Sequence, residues 1–165
     1  LPAAARRLPN NQGLEGVAVA PEGAPNEGLT VLIGEATGED GQLHGWLFDA
    51  RGTNTGAITI VASDDFSATD AVFTDAGELI LLERRYKPLI GVAMRIRRFT
   101  ADEVKPGATL TGTELVSARM DHVVDNMEGI AFHRDDQGRA VLTLVSDDNF
   151  NVLQRNLLLR FEVVE

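Results

Sequence analysis

The sequence predicts an all-β, β-propeller-like domain, because short strands recur in three repeats and no segment carries a helical apolar stripe. In each repeat a strand of small apolar residues precedes a turn and a second, more apolar strand. The aligned segments are E-G-V-A-V-A-P-E-G from Glu15, T-D-A-V-F-T-D-A-G from Thr69 and E-G-I-A-F-H-R-D-D-Q-G from Glu128. Their spacing slightly exceeds the roughly 40–50 residues of familiar propeller blades, which leaves room for long loops.

The strands of each repeat follow from alternation, β-branched residues and turn residues. Pro21 and Gly23 form a turn after the first strand, because proline fixes φ and glycine accepts a positive φ. Trp46 and Phe48 lie on one face of a later strand at period two. The predicted strands are 16–20, 29–33, 45–50 and 57–62, then 70–74, 79–83, 92–99 and 109–117, and finally 129–133, 140–145 and 156–164.

These strands predict a single domain, 1–165, with repeats at approximately 10–66, 67–122 and 123–165. The first two repeats are four-stranded blades, and the last blade is incomplete. A β-sandwich with three accidental similarities is the alternative, since short strands at 8–12-residue spacing also suit sandwiches. Propellers run at 4–8 blades, and exposed sheet edges invite pairing with another chain. We therefore expect half of a six-bladed ring, completed by a missing N-terminal half or by a second copy.

Composition excludes several classes of function. The net charge of −10 argues against a nucleic-acid partner, because phosphate backbones require a basic surface. The absence of cysteine excludes disulfides and Cys-ligated metals. No apolar run approaches the roughly 18 residues of a membrane helix, so no membrane span is expected.

Acidic side chains of all three repeats converge on one rim of the predicted disc. The loop before the first strand and the loop between the second and third strands open on the same face of a blade. Carboxylates packed near an axis repel one another unless they are protonated or bridged by a cation. Ca²⁺ accepts several oxygen ligands in flexible geometry. We therefore expect a calcium site, whose candidate ligands are Glu15, Glu83, Glu128, Asp147 and Asp148.

Arginines of the same rim are candidates for phosphate binding. Arg84 and Arg155 would grip a phosphate by paired hydrogen bonds. Glu128 and Asp147 are the candidate catalytic residues, beside a metal that lowers the pKa of a bound water. Two alternatives stay open: Asp147 and Asp148 form a turn with the following asparagine, and segment 83–87 is a solvated charged loop.

Longer motifs resemble a known family. D-N-M-E-G-I-A-F (125–132), L-V-S-D-D-N-F-N (144–151) and L-Q-R-N-L-L-L-R-F (153–161) resemble the C-terminal signature of the phytase-like family, described as esterase-like activity of phytase. N-Q-G-L-E-G-V-A-V (11–19), A-T-D-A-V-F (68–73) and L-I-L-L-E-R-R-Y (79–86) are similar to its preceding repeats. The resemblance implies the C-terminal half of an exported bacterial protein, periplasmic or secreted, that hydrolyses phosphoesters or phosphodiesters.

The sequence thus predicts a metal-dependent phosphoesterase acting on a small phosphoester, or the C-terminal half of one. One alternative is a non-catalytic propeller that binds a ligand or a protein through the same rim, since the fold alone does not choose a function. A third hypothesis is a calcium-dependent, lactonase-like hydrolase, because Glu15 in its E-G motif resembles the axial metal ligand of six-bladed lactonases.

Overall fold

The computed structural model describes residues 1–8, 13–88, 91–119, 124–152 and 154–164, and it confirms an all-β chain. A single 3-10 turn, Ala5–Arg7, is the helical part of these residues. The strands are β1 (Leu14–Val19), β2 (Thr30–Thr37), β3 (Leu43–Phe48), β4 (Asn54–Ile60), β5 (Ser67–Phe73), β6 (Leu79–Lys87), β7 (Gly91–Phe99), β8 (Thr109–Leu110), β9 (Thr113–Arg119), β10 (Met127–Arg134), β11 (Ala140–Ser146) and β12 (Leu158–Glu162).

The strands form three sheets that follow the chain. The first sheet has the order β1-β2-β3-β4-β8, the second β5-β6-β7-β9 and the third β10-β11-β12. Every pair is antiparallel except β4 with β8, so each sheet is largely a meander of neighbouring strands. Each sheet takes most of its strands from one predicted repeat, but β8 of the second predicted repeat joins the first sheet, which has five strands where four were predicted. A propeller-like arrangement of these sheets stays a prediction. The predicted repeat boundaries at residues 10, 122, 123 and 165 lie outside the described residues.

The single strand predicted over 109–117 is wrong, because the structure divides it into β8 and β9. β8 pairs in parallel with β4 of the first sheet, and β9 pairs with β7 of the second. Gly112 lies between them with φ of 69°, a left-handed conformation that favours glycine. The turn at Gly112 moves the chain from the first sheet to the second.

Two apolar cores hold the sheets together. The first lies between the first and second sheets and includes Ile33, Leu47, Leu81 and Phe99. The second lies between the second and third sheets and includes Leu82, Met94, Met127, Ile130 and Leu144. Since successive side chains of a strand point to opposite faces, the second sheet supplies one set to each core. The first strands of the sheets pack side by side, with β5 between β1 and β10.

A β-bulge recurs at the same place in the first strand of every sheet. The register shifts between Leu14 and Gly16 in β1, between Ala68 and Asp70 in β5, and between Met127 and Gly129 in β10. The extra residues are Glu15, Thr69 and Glu128, the first residues of the three segments aligned from the sequence. Bulges redirect side chains at strand ends, so equivalent backbone features position these residues in all three sheets.

No helix among the described residues has the length and apolar character that a membrane crossing requires.

Candidate functional site

Strand register places one side chain from each second strand at an equivalent position beside the bulges. Leu14 pairs with Gly34, Ala68 with Glu83 and Met127 with Ser146. The residues that follow on the second strands are therefore equivalent, and they are Glu35, Arg84 and Asp147. We call these three residues, together with Glu15 and Glu128, the inner rim.

Asn126 joins two residues of the inner rim. Arg84 Nη1 donates a hydrogen bond to Asn126 Oδ1 at 2.5 Å, and Asn126 Nδ2 donates to Glu128 Oε1 at 2.7 Å. Arg84 Nη2 lies 3.5 Å from the same Glu128 oxygen. Asn126 is 1% exposed, whereas the side chains of Arg84 and Glu128 are 26% and 34% exposed. The charged ends of Arg84 and Glu128 are therefore partly exposed to solvent, while the amide that contacts both of them is buried.

Two acidic side chains of the inner rim, Glu35 and Glu128, have pKa values that burial and neighbouring charges raise. Burial raises the pKa of Glu128, and the charges of Glu15 and Glu35 raise it further, while Arg84 and Asn126 oppose this shift. Burial also raises the pKa of Glu35, the charge of Glu15 adds to this, and Arg84 lowers it. The Arg84 guanidinium therefore influences both Glu35 and Glu128. A carboxyl with a raised pKa is suited to proton transfer, and a guanidinium is suited to binding phosphate.

Asp147 and Asp148 follow β11, and the alternative that they form a turn applies mainly to Asp148. Asp148 Oδ1 accepts from Phe150 N at 2.9 Å, and its Oδ2 accepts from Asn156 Nδ2 at 2.9 Å. Asn149 and Phe150 have φ values of 47° and 55°, so Asp148 supports a strained turn. Asp147 Oδ1 accepts from Asn149 N at a longer 3.2 Å, and its side chain is exposed at the inner rim.

Arg155 lies beside Asp125 rather than beside Arg84. Its backbone N donates to Asp125 Oδ2 at 3.1 Å, and its Nε lies 3.8 Å from the same oxygen. The Arg155 side chain is 60% exposed. Asp125 and Asn126 are consecutive, so both predicted phosphate-binding arginines contact one short segment before β10. Asp125 and Asn126 themselves were not predicted as site residues, although the D-N pair preceding M-E-G was visible in the sequence.

The structure does not bring Glu83 to the inner rim. Its carboxylate is 0% exposed and accepts from Arg95 Nε at 2.9 Å and Nη2 at 3.0 Å. It also accepts from Arg97 Nε and Nη2, both at 2.7 Å. Because neighbouring residues of a strand point to opposite faces, Glu83 faces the first sheet while Arg84 faces the third. Glu83 is therefore a buried carboxylate with a structural role. It is neither a ligand at the inner rim nor part of a solvated charged loop.

The described residues do not assemble a metal site by themselves. Within the parts of the chain that the structure describes, no three acidic or histidine side chains form a group that could hold a metal ion. Glu15, Glu35 and Glu128 offer the oxygen donors that Ca²⁺ prefers, but they do not converge as ligands. Calcium at this site stays a prediction.

No curated protein matches the chain. A family model, phytase-like, with the description esterase-like activity of phytase, matches residues 1–150 of the 165-residue chain. The match includes every residue of the inner rim and the first strands of all three sheets. The chain therefore belongs to the phytase-like family.

Proposed function

We propose that the chain is a hydrolase of the phytase-like kind that cleaves small phosphoesters or phosphodiesters at the inner rim. The observation that carries the proposal is the partly exposed Arg84 guanidinium, held between the Asn126 amide and the Glu128 carboxyl. A guanidinium has five N–H donors, and among the described residues Arg84 makes one hydrogen bond and one longer ion pair. Donors therefore remain for phosphate oxygens.

In the proposed reaction, water attacks phosphorus and the P–O bond to the leaving alcohol breaks. Asp147, exposed at the inner rim, accepts a proton from the attacking water. Protonated Glu128 gives its proton to the leaving oxygen, so the alcohol departs neutral and solvent restores both carboxyl groups. The raised pKa of Glu128 supports the acid role, because a general acid must hold its proton near the working pH. Arg84 and Arg155 bind the phosphate oxygens.

Three further parts of the proposal rest on the family and on donor chemistry. Calcium is the proposed cofactor, with Glu15 as the first ligand to test, because carboxylate oxygens are what this ion prefers and Glu128 is assigned to hold the transferred proton. Export to the periplasm or the medium is the proposed location. A preceding half of the protein or a second copy is the proposed partner, since Val17 and Val19 on β1 are 55% and 58% exposed.

The test measures phosphate release from an aryl phosphate, a diaryl phosphate and inositol hexakisphosphate, with calcium or with a chelator. We expect Glu128→Gln to lower turnover about 100-fold or more, the usual contribution of a positioned acid or base. Arg84→Gln should lower turnover and weaken the binding of inorganic phosphate. Glu22→Gln and Arg51→Gln are matched controls on exposed turns and should retain activity.

Two outcomes would contradict this proposal. One is the absence of turnover on all three substrates by the folded chain, both alone and with its partner half. The other is unchanged turnover in Glu128→Gln. Phosphate binding that is lost in Arg84→Gln, without any turnover, would instead support the non-catalytic binding module. Hydrolysis of a sugar lactone but of no phosphoester would support the lactonase-like alternative.

A further inference from the structure

We infer that Asn126 is the positioning residue of the inner rim, fixing the Arg84 guanidinium and the Glu128 carboxyl relative to each other. The inference rests on the proposed function for its catalytic consequence. The structural part of the inference, that the Asn126 amide orients the Arg84 guanidinium, does not depend on any reaction.

Each of the four polar atoms of Asn126 makes a hydrogen bond. Its Oδ1 accepts from Arg84 and its Nδ2 donates to Glu128. Its backbone N donates to Asp125 Oδ1 at 2.9 Å, and its backbone O accepts from Asp147 N at 3.0 Å. Buried polar groups are costly unless they are paired, so these four hydrogen bonds fix Asn126 in place. Three candidate site residues are therefore connected through one side chain and one peptide.

The chemistry of the two neighbours determines which way the amide points. A guanidinium only donates, so the amide oxygen must face Arg84, and this leaves the amide nitrogen to donate to a Glu128 oxygen. Asparagine is the shortest side chain that offers one acceptor and one donor on opposite sides of a single planar group. Aspartate has the same shape but would place a second negative oxygen against Glu128, and alanine would support neither neighbour.

The equivalent positions of the other sheets do not have this arrangement. Register places Gly13 opposite Glu35 and Ser67 opposite Arg84, as it places Asn126 opposite Asp147. Glycine has no side chain, and a serine hydroxyl cannot reach two charged groups on opposite sides. Asn126 is therefore a feature of the third repeat alone, at the position where the second and third sheets meet. This asymmetry is expected of a site and not of a repeated structural contact.

The other groups that face Glu128 are Glu15 from β1, Glu35 from β2 and Arg84 from β6. Two of them are acidic and repel the ionised Glu128 carboxylate, so they favour its rotation away from the cluster. The hydrogen bond from Asn126 Nδ2 opposes that rotation. Without it, Arg84 would be the one attractive neighbour among these groups, at the longer separation of 3.5 Å.

The first experiment observes the Arg84 guanidinium directly by ¹H–¹⁵N NMR at low temperature, assigned with Arg84→Gln. We expect separate, slowly exchanging Nη signals in the natural chain, because Nη1 is held by Asn126. Asn126→Ala should merge these signals, whereas the isosteric Asn126→Asp, which keeps the acceptor, should preserve them. Asn54→Ala is the matched control, because it also removes an amide with two hydrogen bonds but lies in the first sheet. Unchanged Arg84 signals in Asn126→Ala would overturn the inference.

The second experiment is a double-mutant cycle on the affinity for inorganic phosphate. Asn126→Ala should weaken binding about tenfold when Arg84 is present, as expected from losing one hydrogen bond to a charged group. It should weaken binding less than twofold in the Arg84→Gln background, and about tenfold again in the Arg155→Gln background. Additive effects of Asn126→Ala and Arg84→Gln would contradict the inference. Asn126→Asp, which places a carboxylate against Glu128, should lower kcat more than it raises KM.

Failure of the proposed function looks different from failure of this inference. If no phosphate binds and no ester is cleaved, the proposed function fails, while the Arg84 signals still test whether Asn126 orients the guanidinium. If phosphate binds or turns over and Asn126→Ala changes neither the signals nor the affinity, the inference fails and the proposed function stands.

Discussion

Replacing Glu83 by alanine removes the carboxylate that serves two buried arginines between the first and second sheets. Arg95 and Arg97 are 4% and 5% exposed, and other contacts keep them from swinging into water. Arg95 donates to Ser63 Oγ at 2.7 Å and lies over the Phe66 ring with its Cζ 4.4 Å from the centroid. Arg97 Nη1 donates to two backbone carbonyls at 2.9 Å. Glu83→Ala therefore leaves two positive charges buried and uncompensated.

The magnitude of the destabilisation follows from the hydrogen bonds that the Glu83 carboxylate accepts. Breaking a buried ion pair by removing one partner costs about 3–5 kcal/mol. Here one carboxylate accepts four hydrogen bonds from two guanidinium groups, so we expect a loss of stability toward the upper end, about 4–5 kcal/mol. The free energy of unfolding of a whole domain is only about 5–15 kcal/mol. With a urea slope of about 2 kcal/mol per molar, the midpoint should fall by about 2 M.

The assay is equilibrium urea unfolding followed by the fluorescence of Trp46, the single tryptophan, which is 5% exposed in the folded chain. Glu22→Ala, an exposed glutamate on a turn, is the matched control and should change stability by less than about 0.5 kcal/mol. The triple variant Glu83→Met, Arg95→Met, Arg97→Met should recover most of the loss, because an apolar replacement buries no charge. A loss below about 1 kcal/mol in Glu83→Ala would refute the reasoning.

Three further predictions concern single residues. Glu35→Gln should raise the melting temperature at pH 7 and not at pH 3, because burial and a neighbouring glutamate raise the pKa of Glu35, so ionisation above its ordinary 4.5 costs stability; equal effects at both pH values would contradict this. Gly112→Ala should cost about 1–3 kcal/mol in urea unfolding, since its Cβ would lie 2.4 Å from Phe99 Cε1, and should cost more than Gly52→Ala, which meets no atom within 4 Å. Asp135→Asn should lower the melting temperature at pH 6, because hydrogen bonds from the arginine four residues later hold the pKa of Asp135 at about 2. That stability is present above the ordinary 3.8 and is lost as the pH falls through about 2, so the difference should shrink on acidification and would be refuted by staying constant.

Strand order was predictable from the sequence because it depends on local pattern. The alternation of the aligned segments locates β1, β5 and β10. The first residue of each aligned segment is the extra residue of a β-bulge in the structure. The boundary between β8 and β9 was not predictable in the same way. Segment 109–117 is short and mostly polar, so its pattern does not show that the chain turns at the left-handed Gly112 and that the two halves join different sheets.

The candidate site was predictable in part, for a reason of geometry. Glu83 and Arg84 are adjacent charged residues, so a prediction based on which loop they border places both of them at the same site. Strand alternation separates them onto opposite faces, so one becomes a buried anion and the other joins the inner rim. Asn126 was missed because a search for charge overlooks a neutral amide, although its position two residues before Glu128 makes it the connecting group.

The strand β8 has a consequence for how the chain unfolds. β8 is encoded between β7 and β9, yet it supplies the last strand of the first sheet. Thr59 N donates to Ala108 O at 3.0 Å, and Val61 N donates to Leu110 O at 2.9 Å. These two amides of the first repeat become exposed to exchange only when a segment of the second repeat detaches. We therefore expect the first two repeats to open as one cooperative unit, and we expect a cut between residues 66 and 67 not to yield two independently stable modules.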